Sequence, residues 1–219
     1  MISARLTDFL EALKKHNDRD WFQKNKKWYD EVKSEFDEFT IKLIATVAKI
    51  DKDVAYLEPK DCTYRIYRDT RFSGDKTPYK TNFGAYLVKG GKKSGFAGYY
   101  FHIEPGSNML AGGIYMPMPD VLKKLRREIY ENIDEFIEIV ENREFVKHFG
   151  HIDDESKLKT PPKDFPKDFP HIEYLKFKNY TVAKNLAPQM LHGPKLMEEV
   201  ITVFKALVPL NKFLNNALS

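Results

Sequence analysis

The sequence predicts an α+β protein, a central antiparallel β-meander flanked by N-terminal and C-terminal helices. Apolar residues recur at helical spacing up to Ile50. Short β-branched and aromatic runs between glycine-rich turns then occupy residues 54–116, and helical spacing returns from Pro119. Helices that flank a sheet-forming middle, rather than alternate with strands, mark the α+β class. No linker is long enough to enforce two domains. All 219 residues are therefore read as one domain, with helices in 1–53, the sheet in 54–116 and mostly helix in 117–219.

A first short helix is predicted over residues 7–15, with Asn17 and Asp18 as break and cap. From Trp21 a single stripe follows through Trp28, Val32, Phe36, Phe39, Leu43, Val47 and Ile50, with Lys26, Glu31, Lys33 and Glu35 on the opposite side. The two tryptophans are read as core. Strands are predicted at 62–67, 82–88, 96–104 and 109–115, joined by the glycine-rich run 89–95 and the turn 104–108. The run 89–95 fails as a phosphate-binding P-loop, because no glycine stands five residues before its Gly-Lys pair. The longest uncharged run, 105–119, reads as a turn and a buried strand. Helices follow from Pro119, over 133–140 and over 144–149, the last ending at Gly150. Four prolines make 158–170 an extended or turned connection. A short helix at 172–177, an extended piece at 180–183 and a helix over 194–208, ended or kinked by Pro209, complete the reading.

Composition narrows the class but names no partner. With 42% hydrophobic and 31% charged residues the chain has material for both a core and a solvated surface, which excludes disordered, fibrous and membrane-embedded classes. A net charge of +4 falls short of a dedicated nucleic-acid binder. Cys62 is the only cysteine, so neither an intrachain disulfide nor a thiolate zinc cluster can form. No apolar stretch approaches the roughly 18 residues of a membrane span, and the first residues lack the basic head and apolar run of a secretory signal. A cytoplasmic protein is expected, with no cofactor signature.

Functional residue types are densest between Tyr64 and Lys80. Arg65, Arg68, Arg71, Lys76 and Lys80 face only two local carboxylates, Asp69 and Asp75. Arginine presents a rigid fork of donors that suits carboxylate or phosphate, so three arginines within seven residues can frame an anion. On this reading Arg65, Arg68, Arg71, Lys76 and Tyr79 bind the ligand, while Asp69 and Asp75 orient the cations or handle a proton. The alternative is an ion-pair network that anchors a long loop. Burial separates the two, since unpaired buried guanidinium groups cost several kcal/mol each.

The same residues carry a resemblance. Arg65, Arg68, Asp69, Arg71 and Phe72, followed by Asp75, Lys76 and Tyr79, match the Arg-x-x-Arg-Asp-x-Arg-Phe hallmark and the Asp/Asn-Lys-x-x-Tyr element of an uncharacterised, mainly bacterial family, domain of unknown function 2461. Residues 17–22 resemble its Asn-Asn-Arg-Glu-Trp-Phe stretch, 99–113 its Tyr-x-His-x-Glu-Pro-Gly region, and 158–170 its Pro-Pro-Lys-Gly-Phe segment. Asp18 and Asp164 depart from the family's Asn and Gly, outside the charged hallmark. The resemblance covers nearly the whole chain and implies a shared fold and a shared site candidate, but no activity.

A second candidate is the pair His102 and Glu104, which project from one strand face together with Tyr100. A neutral histidine beside a carboxylate is the usual basis of acid/base chemistry; a satisfied sheet histidine is the plainer reading. Convergence with Arg65 is expected if the first and third strands share a face. His148 and His151 complete no metal-ligand spacing, so no metal is expected, and Ser73 lacks a nucleophile elbow. The expected partner is an anionic small molecule. The first rival is nucleic acid along residues 65–80 with Lys89, Lys92 and Lys93, stacking on Tyr64, Tyr67 or Phe72. The second is a protein partner at residues 158–170.

Overall fold

The protein is described here by a computed structural model covering residues 1–219. Ser3 begins the first helix, α1 (Ala4–Lys15), its hydroxyl accepting from the Leu6 N–H at 3.3 Å. Leu6, Phe9, Leu10 and Leu13 fall on one face of α1 and are buried. Asp18 caps α2 (Arg19–Lys24) through the Trp21 N–H at 2.8 Å. The stripe read from Trp21 onward is interrupted at Asn25, and α3 (Lys26–Val47) carries most of it, burying Val32, Phe36, Phe39, Leu43 and Val47. Trp21 and Trp28 are partly buried against the core, both packed on Phe9.

The chain is α+β. Four strands, β1 (Phe83–Leu87), β2 (Gly98–Ile103), β3 (Met109–Ile114) and β4 (Tyr180–Asn185), form one antiparallel sheet in sequence order. The first three are the predicted meander, shortened at their ends. The predicted strand at 62–67 does not form. Pro59 at the first helical position, with Glu58 and Asp61 in a capping box, winds residues 59–62 into a single helical turn, α4 (Pro59–Cys62). The chain then touches the sheet at one bridge, Thr63 with Ala85, and touches itself at another, Tyr67 with Tyr79. The extended piece expected at 180–183 is the missing strand, paired along β3 from Ile114↔Tyr180 to Met109↔Asn185. It lies within the stretch read as mostly helical.

Between β3 and β4 run α5 (Pro119–Glu131), α6 (Ile133–Val140), α7 (Arg143–Phe149) and the short α8 (Ile172–Leu175). The proline-rich connection between α7 and α8 is turned, and it packs Phe165 and Phe169 against Tyr130 of α5. After β4 come α9 (Pro188–His192) and α10 (Leu196–Asn216).

Pro209 does not end α10, which continues to Asn216. Packing overrides the proline: Leu210, Phe213 and Leu214 are buried beyond it, and two carboxamides grip the sheet. Asn211 accepts from the Gly113 N–H and donates to the Gly98 carbonyl, both at 3.1 Å, while Asn215 does the same for Ala97 at 2.7 and 3.1 Å. The carbonyl that Pro209 leaves without a helical donor belongs to Lys205, an exposed residue. Close approach of α10 requires Gly112, because a Cβ there would stand 2.6 Å from Leu207 and 2.8 Å from the Gly98 carbonyl.

Helices α3 and α10 pack on one face of the sheet. Phe39 of α3 packs on Phe101 at 4.9 Å, Phe36 on Phe83 at 5.1 Å, and Phe204 of α10 on Tyr99 at 5.2 Å. By the period of two, Gly84, Tyr86, Tyr100, His102, Met109, Ala111 and Ala183 point to the other face, where a groove opens.

Candidate functional site

Residues 66–80 project from the sheet as a loop pinned at its base. The Lys80 N–H donates to the Ile66 carbonyl at 2.7 Å and the Arg68 N–H to the Pro78 carbonyl at 2.9 Å. Asn17, between α1 and α2, holds Tyr79 by both backbone groups, donating to its carbonyl at 2.9 Å and accepting from its N–H at 3.1 Å. The Tyr79 ring is buried and stacked on Phe22, 4.0 Å between centroids. Tyr79 therefore anchors the loop rather than facing an open site.

Within the loop the carboxylates divide the cations. Asp69 takes Arg71 through two parallel bonds, 3.0 Å to Nε and 2.7 Å to a terminal nitrogen. Asp75 pairs with Arg68 and accepts from the Thr77 N–H and hydroxyl, each at 2.9 Å. The Arg71 bonds hold the Asp69 carboxyl below its ordinary range, and the Thr77 N–H, followed by Arg68, holds that of Asp75 at about 2. Lys76 donates to the Thr70 carbonyl at 2.9 Å. Arg71, Lys76 and the tip residue Phe72 are exposed, Phe72 to 96%. Of the three arginines, Arg68 and Arg71 are thus paired with carboxylates of the loop, and Arg65 has no ion-pair partner within 4 Å.

Arg65 has a companion in Lys80, which likewise has no carboxylate. Its ammonium lies 5.3 Å from the centre of the Tyr64 ring. Burial and then the neighbouring Arg65 charge lower its pKa, the signature of a cation held partly out of water beside a like charge. The Tyr64 ring in turn meets Tyr100 edge-on at 6.5 Å. These two aromatic steps connect Lys80 to the sheet face that bears the groove.

The groove on that face measures about 610 Å³. Tyr64, Tyr86, Phe96 and Tyr100 form one wall, with Lys92 at its edge, and Tyr115, Met116 and Met118 the opposite rim. The uncharged run 105–119 is therefore buried only in part, since these last three side chains stand exposed. Their rim is built by a chain of polar contacts. The Asp154 carboxylate accepts the backbone N–H groups of Lys178 and Asn179 at 2.6 and 2.9 Å, and the Asn179 carboxamide accepts the Met116 N–H at 2.8 Å. Met116 has a φ of 49°, unusual for a residue other than glycine.

His102 and Glu104 are brought together on the same face. The Tyr100 hydroxyl lies 2.8 Å from His102 Nδ1 and the Asn82 amide 3.4 Å from it, while His102 Nε2 lies 3.2 Å from Glu104. Two donors face Nδ1 and a pure acceptor faces Nε2, so the neutral ring carries its proton on Nε2. Glu104 is fixed by the Thr81 hydroxyl at 2.7 Å. Tyr100 lines the groove, whereas His102 is buried behind it. Asp69 and Asp75 belong to the loop, engaged with Arg71 and Arg68, rather than to this cluster.

A family model described as a conserved hypothetical protein, DUF2461, matches residues 5–213. The chain belongs to this family. The match spans both the Arg65–Lys80 loop and the sheet with its groove, and its description assigns no activity to either. No curated protein and no solved structure gives a significant match. No helix is long and apolar enough to cross a membrane.

Tyr86, Met116 and Met118 were not singled out as site residues from the sequence. One signal for Tyr86 is present there: Gly84 and Tyr86 alternate with Phe83, Ala85 and Leu87, which assigns them to the opposite face. Nothing in the spacing indicates that this face bears the groove.

Proposed function

We propose that the protein binds an anionic small molecule with an apolar or aromatic body. Arg65 and Lys80 take its charged group, and the groove lined by Tyr64, Tyr100, Phe96 and Met118 takes the rest. One observation carries this reading: of the cations in the loop, these two have neither a carboxylate nor a hydrogen-bonding partner, and Lys80 sits against the ring that forms the groove wall. Lys80, partly desolvated and without a paired carboxylate, favours an incoming anion, and the exposed Arg65 beside it adds to the attraction. Apolar walls with a few polar groups at one end are the usual form of a small-molecule site. Asp69 and Asp75 serve by holding Arg71 and Arg68 in the loop scaffold.

Thermal unfolding against aryl carboxylates, fatty acids, nucleotides and sugar phosphates tests this. A ligand at about 100 times its dissociation constant adds roughly 2.7 kcal/mol, a midpoint shift on the order of 5–10 °C for a chain of this size. The shift should vanish in the double variant Arg65→Met, Lys80→Met while the variant remains folded. A panel in which no anion moves the midpoint sinks the proposal.

A second reading rests on Phe72, an aromatic ring 96% exposed beside the Arg71 guanidinium. Such a tip suits stacking on a base of single-stranded nucleic acid. Binding of an oligonucleotide that falls steeply with salt and is lost in Phe72→Ala supports it; no binding at low salt removes it.

A further inference from the structure

We infer that Tyr100, backed by His102 and Glu104, is a proton relay that deprotonates an acidic hydroxyl or carbon acid on the anion held in the groove. The inference rests on the binding reading above and gives it a reaction class.

The arrangement differs from that of a tyrosine whose hydroxyl is merely satisfied. Tyr86, its cross-strand neighbour, directs its hydroxyl at backbone carbonyls of Phe96 and Gly113, at 2.8 and 2.9 Å. Tyr100 instead points at an imidazole nitrogen free to accept, and the far nitrogen of that ring is held by a carboxylate. The sheet makes room for this geometry: a Cβ on Gly84 would lie 2.4 Å from the Tyr100 hydroxyl. Because His102 is buried and Tyr100 lines the groove, a ligand reaches the imidazole through the tyrosine hydroxyl.

The step balances without a free tyrosinate. The ligand X–H gives its proton to a lone pair on the Tyr100 oxygen as the original hydroxyl proton passes to His102 Nδ1. The products are a ligand anion, a neutral tyrosine and an imidazolium. The Glu104 carboxylate neutralises the imidazolium, and Lys80, 5.3 Å from the centre of the Tyr64 ring, supplies positive charge beyond that ring. Passing through a neutral tyrosine matters, because burial and then the nearby Tyr64 and Glu104 raise the Tyr100 pKa well above its ordinary value and disfavour its anion.

The test uses 7-hydroxycoumarin-3-carboxylate, which joins a carboxylate to a phenol whose ionisation is seen by absorbance. At saturating protein, the phenol should ionise about one pH unit lower on the wild type than on Tyr100→Phe or His102→Gln, a tenfold change in the ionised-to-neutral ratio. A probe that binds all three proteins and ionises identically on each overturns the relay and leaves the binding reading standing. A probe that does not bind the wild type counts against the binding reading, and the relay falls with it. Nitrogen-15 spectra of His102 in the ligand-free protein give an independent readout. The Nε2–H tautomer, weakened in Tyr100→Phe, is expected, and an Nδ1–H ring overturns the relay whatever binds.

Discussion

Asn17 and Tyr79, 62 residues apart in sequence, are joined by a two-way bond in which one carboxamide satisfies both backbone groups of the other residue. The break between the first two helices therefore also fixes the base of the arginine loop. Removing that carboxamide leaves a donor and an acceptor at the edge of the core without partners. Asn17→Ala should cost about 1–3 kcal/mol in urea unfolding. It should also speed hydrogen exchange at Arg68 and Lys80, whose N–H groups close the loop beside Tyr79. An unchanged exchange pattern would show that the loop is held without Asn17.

Gly84 lies under the Tyr100 hydroxyl, and the same spacing makes it a probe of the polar cluster. In Gly84→Ala the ring must swing away, breaking the 2.8 Å contact with His102. The expected cost is about 1–3 kcal/mol by overpacking. The expected signature is a His102 ring that no longer prefers the Nε2–H tautomer. If the nitrogen shifts of His102 match the wild type, the contact does not set the tautomer.

Asp154 makes the groove rim sensitive to acid. Burial pushes its carboxyl up, but donors from Ser156, Lys178 and Asn179 pull it further down, to about 2. The folded value lies below the unfolded one, so the stabilisation is present above the ordinary carboxylate range and is lost as pH falls through about 2. Asp154→Asn should remove on the order of 2 kcal/mol at neutral pH and flatten the acid limb of the stability profile. A variant whose acid limb is as steep as the wild type's would place that sensitivity elsewhere.

His148 acts on stability at milder pH. Its side chain is only 5% exposed, its Nδ1 lies 3.2 Å from the Lys184 ammonium, and Lys184 is itself paired with Glu199 at 2.6 Å. Burial first, then the charges of Lys184 and Lys147, lower its pKa, against smaller opposing effects of Glu199 and Glu144. A histidine depressed on folding takes up its proton more readily when unfolded. Stability therefore rises with pH between the folded value and the ordinary value near 6.5, and is level above it. A proton NMR titration should place the His148 midpoint below 6.5, and Lys184→Met should raise it. A wild-type midpoint at or above 6.5 refutes this account.

Much of the fold was legible because local periodicity survives folding. The stripe from Val32 to Val47 and the three runs that became β1 to β3 carry their own face assignment in the spacing of apolar residues. Residues 62–67 misled because Tyr64, Ile66 and Tyr67 have strand propensity, while the turn at Pro59 delivers the chain to the sheet at a single bridge. Pro209 misled in the opposite direction: the burial of Leu210, Phe213 and Leu214 and the grip of Asn211 on β2 and β3 outweigh one missing backbone bond.

The candidate site divides along the same line. From sequence alone came the α+β class, the family resemblance, the surplus of cations between Arg65 and Lys80, and the shared face of Tyr100, His102 and Glu104, because composition and a period of two require no long-range information. Which cations lack a paired carboxylate, and that Lys80 packs on a tyrosine of the groove wall, was decided by tertiary structure. Asp69 and Asp75 select Arg71 and Arg68 by the path of the loop, and β4 joins the sheet from 66 residues beyond β3. Pairing of charges and closure of a sheet depend on distances between segments far apart in the chain, and those distances exist only once the core has packed.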